Sequence, residues 1–321
     1  MSEPLISVII PSYNHENYVQ TTIRSVIEQT YQNIELIMID DGSKDTTFEK
    51  IKEMENECKK RFVRFVYQKQ ENQGTCTTLN RLLAQVNGKY VAWIASDDKY
   101  TPNALSDLIE VLEENPDVGL AVGRNFIMDS EGKQCYWDKE KNNVYDEESA
   151  RWVSFSDSLS EVAKIDFHSP EFGTYAALLK SNHIPNGFLI RKSILDKIGP
   201  FTREAPLEDY WLMLQISKYA KMKYIDKPAF YYRWHASNTV KQKEKMQMLE
   251  KKTFEWEENY VNNLPDPKWK DLFKAVKYRR ENVLNLLFLK VYKQYDLNQK
   301  LKILEIFGLK FILKRKIRTR Q

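Results

Sequence analysis

The sequence predicts an α/β protein: a mostly parallel central sheet with helices on both faces, followed by a helical appendage at the C-terminal end. Three observations carry this. Through residue 125, continuous apolar runs of strand length alternate with segments whose apolar residues recur at helical spacing. The intervening segments are long enough for right-handed crossovers, which make successive strands parallel. Beyond Thr239 the pattern changes to long, charged helical stretches. A chain of 321 residues, 42% of them hydrophobic, can bury the core that such an architecture needs.

The elements follow in order. Leu5 to Ile10 is a β-branched run that ends at Pro11, which has no N–H for a ladder. Val19, Ile23, Val26 and Ile27 share a helix face, and Ile34 to Ile39 is a second buried strand. Ser43 stands where it would cap a helix carrying Phe48 and Ile51, and Phe62 to Tyr67 reads as a third strand. Leu79, Leu82, Leu83 and Val86 mark the next helix. Asn87-Gly88 turns the chain into a fourth strand, Tyr90 to Ala95, which runs into Ser96-Asp97-Asp98. Thr101-Pro102 then opens a helix.

From Phe126 to Asp166 periodicity is weak, with a hairpin turn at Ser130-Glu131-Gly132 and a surface loop over Asp146 to Ser149. Ser169-Pro170 opens another helix, Phe188-Leu189-Ile190 is apolar, and Asp209 to Ala220 is a helix burying Trp211, Leu212 and Ile216. Phe230 to Trp234 returns as a strand. Lys241 to Tyr260 and Trp269 to Tyr292 are helical, separated by Pro265 and Pro267. This organises the chain as residues 1–238, in halves 1–125 and 126–238, and a helical region 239–321.

Composition narrows the function classes. With 49 basic and 45 acidic residues the net charge is +4, which gives no reason to expect a nucleic-acid partner. Cys58, Cys76 and Cys135 form no C-x-x-C pair, and the first residues lack a signal peptide's basic flank and apolar stretch, so a cytoplasmic location is expected. No uncharged apolar run approaches the roughly 20 residues of a spanning helix, which restricts membrane contact to a peripheral one. The glycines form no G-x-G-x-x-G and no G-x-x-x-x-G-K-S/T, and there is no G-x-S-x-G. This argues against dinucleotide dehydrogenases, P-loop enzymes and serine hydrolases.

Ligands of open parallel sheets bind outside the carboxyl ends of the strands, where both Asp40-Asp41 and Asp97-Asp98 fall. In Asp40-Asp41-Gly42-Ser43 a carboxylate can accept from a base or ribose while Gly42 permits the tight turn; the same residues also serve as ordinary caps. Adjacent carboxylates at the end of an apolar strand, as in Asp97-Asp98, are costly unless a cation or donors satisfy them. Oxygen ligands suit Mn²⁺ or Mg²⁺, which would stabilise charge on a departing diphosphate. Glu208-Asp209 starts a helix, where acids are favoured by the dipole and where a carboxylate can act as base toward a hydroxyl. His235 can ligate metal or donate to phosphate, with Arg233 nearby, whereas His15, His168 and His183 share no ligand spacing with it.

The order of these motifs resembles family-2 glycosyltransferases of the inverting GT-A kind. Ser7-Val8-Ile9-Ile10-Pro11-Ser12-Tyr13-Asn14 looks like that family's opening strand, whose end (Pro11, Tyr13, Asn14) lines the nucleotide. Ile39-Asp40-Asp41-Gly42-Ser43 is similar to its uracil-contacting turn, with Asp41 the base contact, and Asn72-Gln73-Gly74 with Asn80 resemble the next nucleotide segment. Ala95-Ser96-Asp97-Asp98 looks like the metal motif, Leu207-Glu208-Asp209 the catalytic-base motif, and Arg233-Trp234-His235 with Ser237-Asn238 the segment that closes over the diphosphate. Pro185-Asn186-Gly187-Phe188 through Ile198-Gly199-Pro200-Phe201 resembles the stretch that shapes the acceptor side. Many members carry a further Asp two residues before the acidic pair, where this chain has Ala95.

The resemblance implies a nucleotide-sugar half (1–125) and an acceptor half (126–238). It implies a UDP-sugar donor, a Mn²⁺ or Mg²⁺ ion held by Asp98 and Asp97 with His235, and Asp209 as the base of a single inverting displacement. Because neither Q-x-x-R-W nor spanning helices accompany the motifs, transfer of one sugar is expected rather than processive synthesis. The acceptor would be a glycan or lipid-linked oligosaccharide, as in bacterial surface-polysaccharide assembly. A last helix carrying Leu301, Leu304, Phe307, Phe311 and Ile312, followed by Lys314, Arg315, Lys316, Arg318 and Arg320, would then sit on an anionic membrane. The competing readings are an inactive sugar or nucleotide binder on the same fold, against which intact Asp98 and Asp209 speak, and a nucleotidyltransferase, whose glycine-rich phosphate loop is missing after the first strand.

Overall fold

The computed structural model describes residues 3–277 and, beyond them, the backbone of three strands. The chain forms two compact units, Met1–Asn259 and Tyr260–Gln321. The first opens with β1 (Ile6–Ser12), α1 (Val19–Ile27), β2 (Ile34–Asp40), α2 (Thr47–Glu53), α3 (Glu55–Arg61), β3 (Arg64–Lys69), α4 (Thr75–Leu83) and β4 (Tyr90–Trp93). All seven residues of β2 are buried, which accounts for its unbroken apolar sequence. Ile6, Val8 and Ile10 of β1 pack with α1 residues Val19, Ile23 and Val26. The alternate residue Ile9 faces the other side of the sheet, where α4 lies over β1 and β2.

Next come β5 (Lys99–Tyr100), α5 (Ala104–Glu114), β6 (Val118–Met128), β7 (Gln134–Trp137), β8 (Asn143–Val144), α6 (Phe155–Ala163), α7 (Tyr175–Leu178) and β9 (Leu189–Arg191). The unit is completed by α8 (Lys192–Ile198), α9 (Glu208–Ile216), β10 (Lys221–Arg233) and most of α10 (Lys243–Asn262). The strand order is β3-β2-β1-β4-β9-β6-β10-β5, with β7 on β6 and β8 on β7. β3, β2, β1 and β4 are mutually parallel, β9 runs antiparallel to both β4 and β6, and β10 is parallel to β6.

This register positions the site. Ser12 at the end of β1 lies beside Asp40 at the end of β2, and Ile9 lies beside Trp93 at the end of β4. The motifs that follow those three strands therefore emerge along one edge. The two-residue strand β5 pairs with β10 at Tyr100–Phe230 and Lys99–Tyr231, which brings the Asp97-Asp98 turn against the end of β10.

Several elements differ from expectation. β6 and the first half of β10 were not apparent as strands. β6 is buried along most of its length and so lacks polar alternation, while β10 is broken by register shifts around Pro228. Residues 169–172 form turns; helix begins only at α7, where Thr174 caps the Ala177 N–H. The first unit extends to Asn259, past the boundary expected at residue 238, because α10 is tied to it. The Leu207 N–H donates to Thr253 Oγ1, and Glu257 meets Lys218 at 2.7 Å.

The second unit contains a helical segment over 267–277 and an antiparallel meander of β11 (Tyr292–Asp296), β12 (Leu301–Ile306) and β13 (Leu309–Lys314). The helix expected across Leu301 to Ile312 is therefore extended chain in β12 and β13, where backbone bonds between strands replace those within a helix. Phe307, Arg315, Lys316, Arg318, Arg320 and the stretch from Tyr278 to Val291 lie outside the described residues. Among the described residues no helix is long and apolar enough to cross a membrane.

Candidate active site

The carboxyl ends of β1, β2 and β4 open into a cavity of about 590 Å³. Pro11, Tyr13, Asn14, Asp41, Asp97, Asp98, Asp209 and His235 all line it, so eight of the sequence-selected residues converge. Asn72, Gly74, Asn80 and Arg233 do not line it; they hold its walls.

Near β1 and β2, Asn14 takes a left-handed conformation (φ 52°) that asparagine tolerates. Its N–H donates to Ser43 Oγ, and its side-chain oxygen accepts from the Lys44 N–H at 2.9 Å. Ser43 also hydrogen-bonds the Asp40 carboxylate and so does not cap α2. Ahead of α2, Asp45 Oδ1 accepts from the N–H of the helix's first residue, Thr47, at 3.0 Å. Gly42 has φ +78°, and a Cβ there would lie 2.7 Å from the Asn72 nitrogen. The turn thus requires glycine because the Asn72 backbone packs against it, while Asn72 is exposed. Asp41 accepts from Gln70 Nε2, the Gln73 N–H and the Gly74 N–H at 2.7–2.9 Å, tying the 70–74 loop to the cavity wall. Asn80 clamps the Phe201 backbone through two hydrogen bonds. Tyr13, 42% exposed, leaves an aromatic face open in the cavity.

The metal motif separates its two carboxylates. Asp97 Oδ2 lies 2.9 Å from His235 Nε2 and 3.8 Å from His15 Nε2. Among the described residues, His15, Asp97 and His235 form the single cluster of three metal-ligating atoms, all within 4.8 Å of one another. Burial pushes the Asp97 carboxyl up, but the His235 hydrogen bond and the charges of both imidazoles outweigh it, so Asp97 sits below its usual value. Burial holds His15 below the usual imidazole value against the pull of Asp97.

Asp98, selected as a metal ligand, does not join the cluster. Its Oδ1 accepts the Arg233 N–H at 2.8 Å, and burial together with the charge of Asp97 holds its carboxyl well above the usual range. It locks the acidic turn to the end of β10. Arg233 Nε donates to the Asp97 carbonyl and Nη1 to the carbonyls of Asp129 and Ser130, so these groups brace the turn. His15 is the member of this cluster that sequence spacing missed. Metal-ligand spacing is a local signal, whereas His235 and Asp97 stand 138 residues apart. The signal that was present is the position of His15, just past the end of β1.

At the start of α9, Asp209 Oδ1 accepts its neighbour's N–H, from Tyr210, and Oδ2 faces Asn182 Nδ2 at 3.4 Å. Burial raises the Asp209 carboxyl despite those bonds. Adjacent Glu208 is pushed up to about 7 by burial and by the Asp209 charge. Beside this pair, Trp93, Asn186, Gly187 and Phe188 line the cavity, and Phe201 packs on the rings of Trp93 and Trp211. Gly187 has φ +73°, and a Cβ would fall 2.3 Å from Phe230 Cδ2, so this wall also needs glycine. Val240, Gln242 and Lys245 complete the rim.

Comparison with known proteins bears on the family and the fold. The model of "Glycosyl transferase family 2" matches residues 7–199. The putative teichuronic acid biosynthesis glycosyltransferase TuaG of Bacillus subtilis (strain 168) is 35% identical over 112 residues, 35% of this chain and 43% of that protein. The chain spans between 19% and 43% of the length of the curated relatives it matches. S. aureus TarS (residues 1–349) in complex with UDP superposes with TM-score 0.56 at 18% identity, covering 92% of this chain and 76% of that one. The mannosyltransferase PcManGT from Pyrobaculum calidifontis, in complex with GDP-Man and Mn²⁺, gives 0.59 at 14%, covering 86% and 70%. At these identities the likeness is one of fold. With its family model running from β1 to the end of α8 and its motifs gathered at one sheet edge, the chain belongs to glycosyl transferase family 2.

Proposed function

We propose that the chain transfers a single sugar from a UDP-sugar to a hydroxyl of a glycan or lipid-linked acceptor, with inversion, in surface-polysaccharide assembly. The observation that carries this reading is one cavity lined at once by Tyr13 and Asp41, by the His15–Asp97–His235 cluster and by Asp209. A nucleotide site, a cation site and a base are the three parts that such a displacement needs. TarS bound to UDP, the Mn²⁺ in PcManGT and the name of TuaG support donor, metal class and pathway in turn.

Tyr13 offers its ring to a base, and the wall that Asp41 braces receives the nucleoside. Asp97 and His235 are the groups that would hold Mn²⁺ or Mg²⁺, which when bound supplies positive charge to the diphosphate oxygens. Asp209 takes the proton from the acceptor hydroxyl as its oxygen bonds to the anomeric carbon. The bond from that carbon to the phosphate oxygen breaks, and its electron pair leaves with UDP. Attack opposite the leaving group inverts the centre, so an α-linked donor gives a β-linked product.

The reading is tested by thermal unfolding of the whole chain with UDP, with and without Mn²⁺. A ligand at about a hundred times its Kd adds about 2.7 kcal/mol to the folded state, so a clear metal-dependent rise in Tm is expected. Folded protein that no nucleotide stabilises would move the assignment to an inactive member of the family.

A further inference from the structure

We propose that His15 is a third metal ligand, so that the cavity holds its cation between two imidazoles and one carboxylate and selects Mn²⁺ over Mg²⁺. This rests on the metal-dependent reading above and extends it to the choice of ion.

The geometry is built around one oxygen. His235 Nε2 and His15 Nε2 both approach Asp97 Oδ2, at 2.9 and 3.8 Å. Ligand atoms each about 2.1 Å from a shared ion stand about 3 Å apart at right angles and farther apart at wider angles, so both separations suit neighbouring ligands. The other nitrogen of each ring is anchored in the same way: His15 Nδ1 on Ser96 Oγ at 2.7 Å, and His235 Nδ1 on Ser237 Oγ at 2.8 Å. A ring that donates Nδ1–H to such an anchor leaves Nε2 as a lone pair, the form that binds metal.

Asn238 gives independent support at His235. Its Oδ1 accepts the His235 N–H at 2.6 Å and its Nδ2 donates to the Arg233 carbonyl at 3.0 Å, which determines the orientation of the amide. That places a donor nitrogen 3.3 Å from His235 Nε2, where an acceptor belongs. With Nδ1 protonated, Nε2 and the Asp97 carboxylate oxygen 2.9 Å away are both acceptors; a proton bridges them in their hydrogen bond, and a cation can take the place of that proton. Asp98 Oδ1 accepts the Arg233 N–H, and its carboxylate does not stand among the clustered ligand atoms. His15 is itself held in place, its N–H donating to Thr47 Oγ1 at 2.8 Å.

Two nitrogens and one oxygen are a poor set for Mg²⁺, which favours oxygen ligands in strict octahedra and sheds water reluctantly. Imidazole donors favour the transition ions. The test is Mn²⁺ binding to the whole chain, followed by loss of the free-ion electron paramagnetic resonance signal, with nitrogen modulation of the bound ion counting its imidazoles. Wild type should show two imidazoles and keep most of its Mn²⁺ against about a hundredfold excess of Mg²⁺. His15→Gln, checked for folding by circular dichroism, should weaken binding on the order of tenfold or more and show one imidazole.

One imidazole in wild type, or unchanged affinity in folded His15→Gln, overturns the proposal. If Asp97→Asn loses Mn²⁺ while His15→Gln keeps it, the role of His15 falls and the metal-dependent transferase reading stands. Wild type that binds no Mn²⁺, with or without UDP, sinks both.

Discussion

At the scale of single residues, chemistry turns on which of two neighbouring acids faces the cavity. Asp97 and Asp98 are adjacent in sequence and alike in type, yet one meets two imidazoles and the other meets the Arg233 N–H. No local pattern distinguishes them, since the difference is made by β10, which arrives from far along the chain. Glu208 and Asp209 both line the cavity, and burial raises both carboxyls. Asp209→Asn should cut turnover by about 10²–10⁴-fold while UDP affinity holds, because a base is removed and no nucleotide contact. Turnover rates compared with UDP titrations check this, and lost UDP binding would count against the assignment. Because its carboxyl lies above the usual value, transfer should fall as pH drops toward that raised value, at higher pH than an ordinary aspartate would dictate.

At the scale of elements, the strands that carry β1, β2 and β4 were readable because burial on both faces demands continuous apolar runs. β10 was readable only from Phe230, since its earlier residues alternate irregularly around the shifts at Pro228. α9 and α10 form a pair that sequence reading separated into different regions. Their link is a buried cluster in which Glu257 meets Lys218 at 2.7 Å, Gln215 Nε2 at 2.8 Å and the Tyr175 hydroxyl at 2.6 Å. The side chains of Glu257 and Lys218 are 0% and 2% exposed. Glu257→Ala removes a buried carboxylate that meets the Lys218 ammonium and should cost about 3–5 kcal/mol in urea unfolding. A loss under 1 kcal/mol would mean that α10 is not anchored there. Since Gln242 and Lys245 bring the start of this region to the cavity rim, the same variant should also weaken UDP binding.

At the scale of the whole molecule, the division falls at Asn259 and Tyr260. The C-terminal region was read as an amphipathic helix, and its described part beyond residue 291 is an antiparallel meander. The charge argument survives the change of backbone, because it depends on composition: from Lys310 onward every charged residue is basic. Each such residue near an anionic surface is worth about 1 kcal/mol. Removing residues 315–321 should therefore reduce sedimentation with phosphatidylserine vesicles at low salt. Equal sedimentation of both forms would remove the membrane from the reading.

The sequence by itself determined the family's motifs, their order and the α/β alternation. Those are local properties, set by the strand and helix periods and by turns such as Gly42 that only glycine can make. Tertiary structure alone decided that His15 rather than Asp98 stands with Asp97 and His235, that Arg233 and Asn80 support walls rather than line them, and that most of α10 belongs to the first unit. Each of these depends on groups brought together from distant parts of the chain, and sheet register, which sets such meetings, leaves no trace in the spacing of residues along one segment.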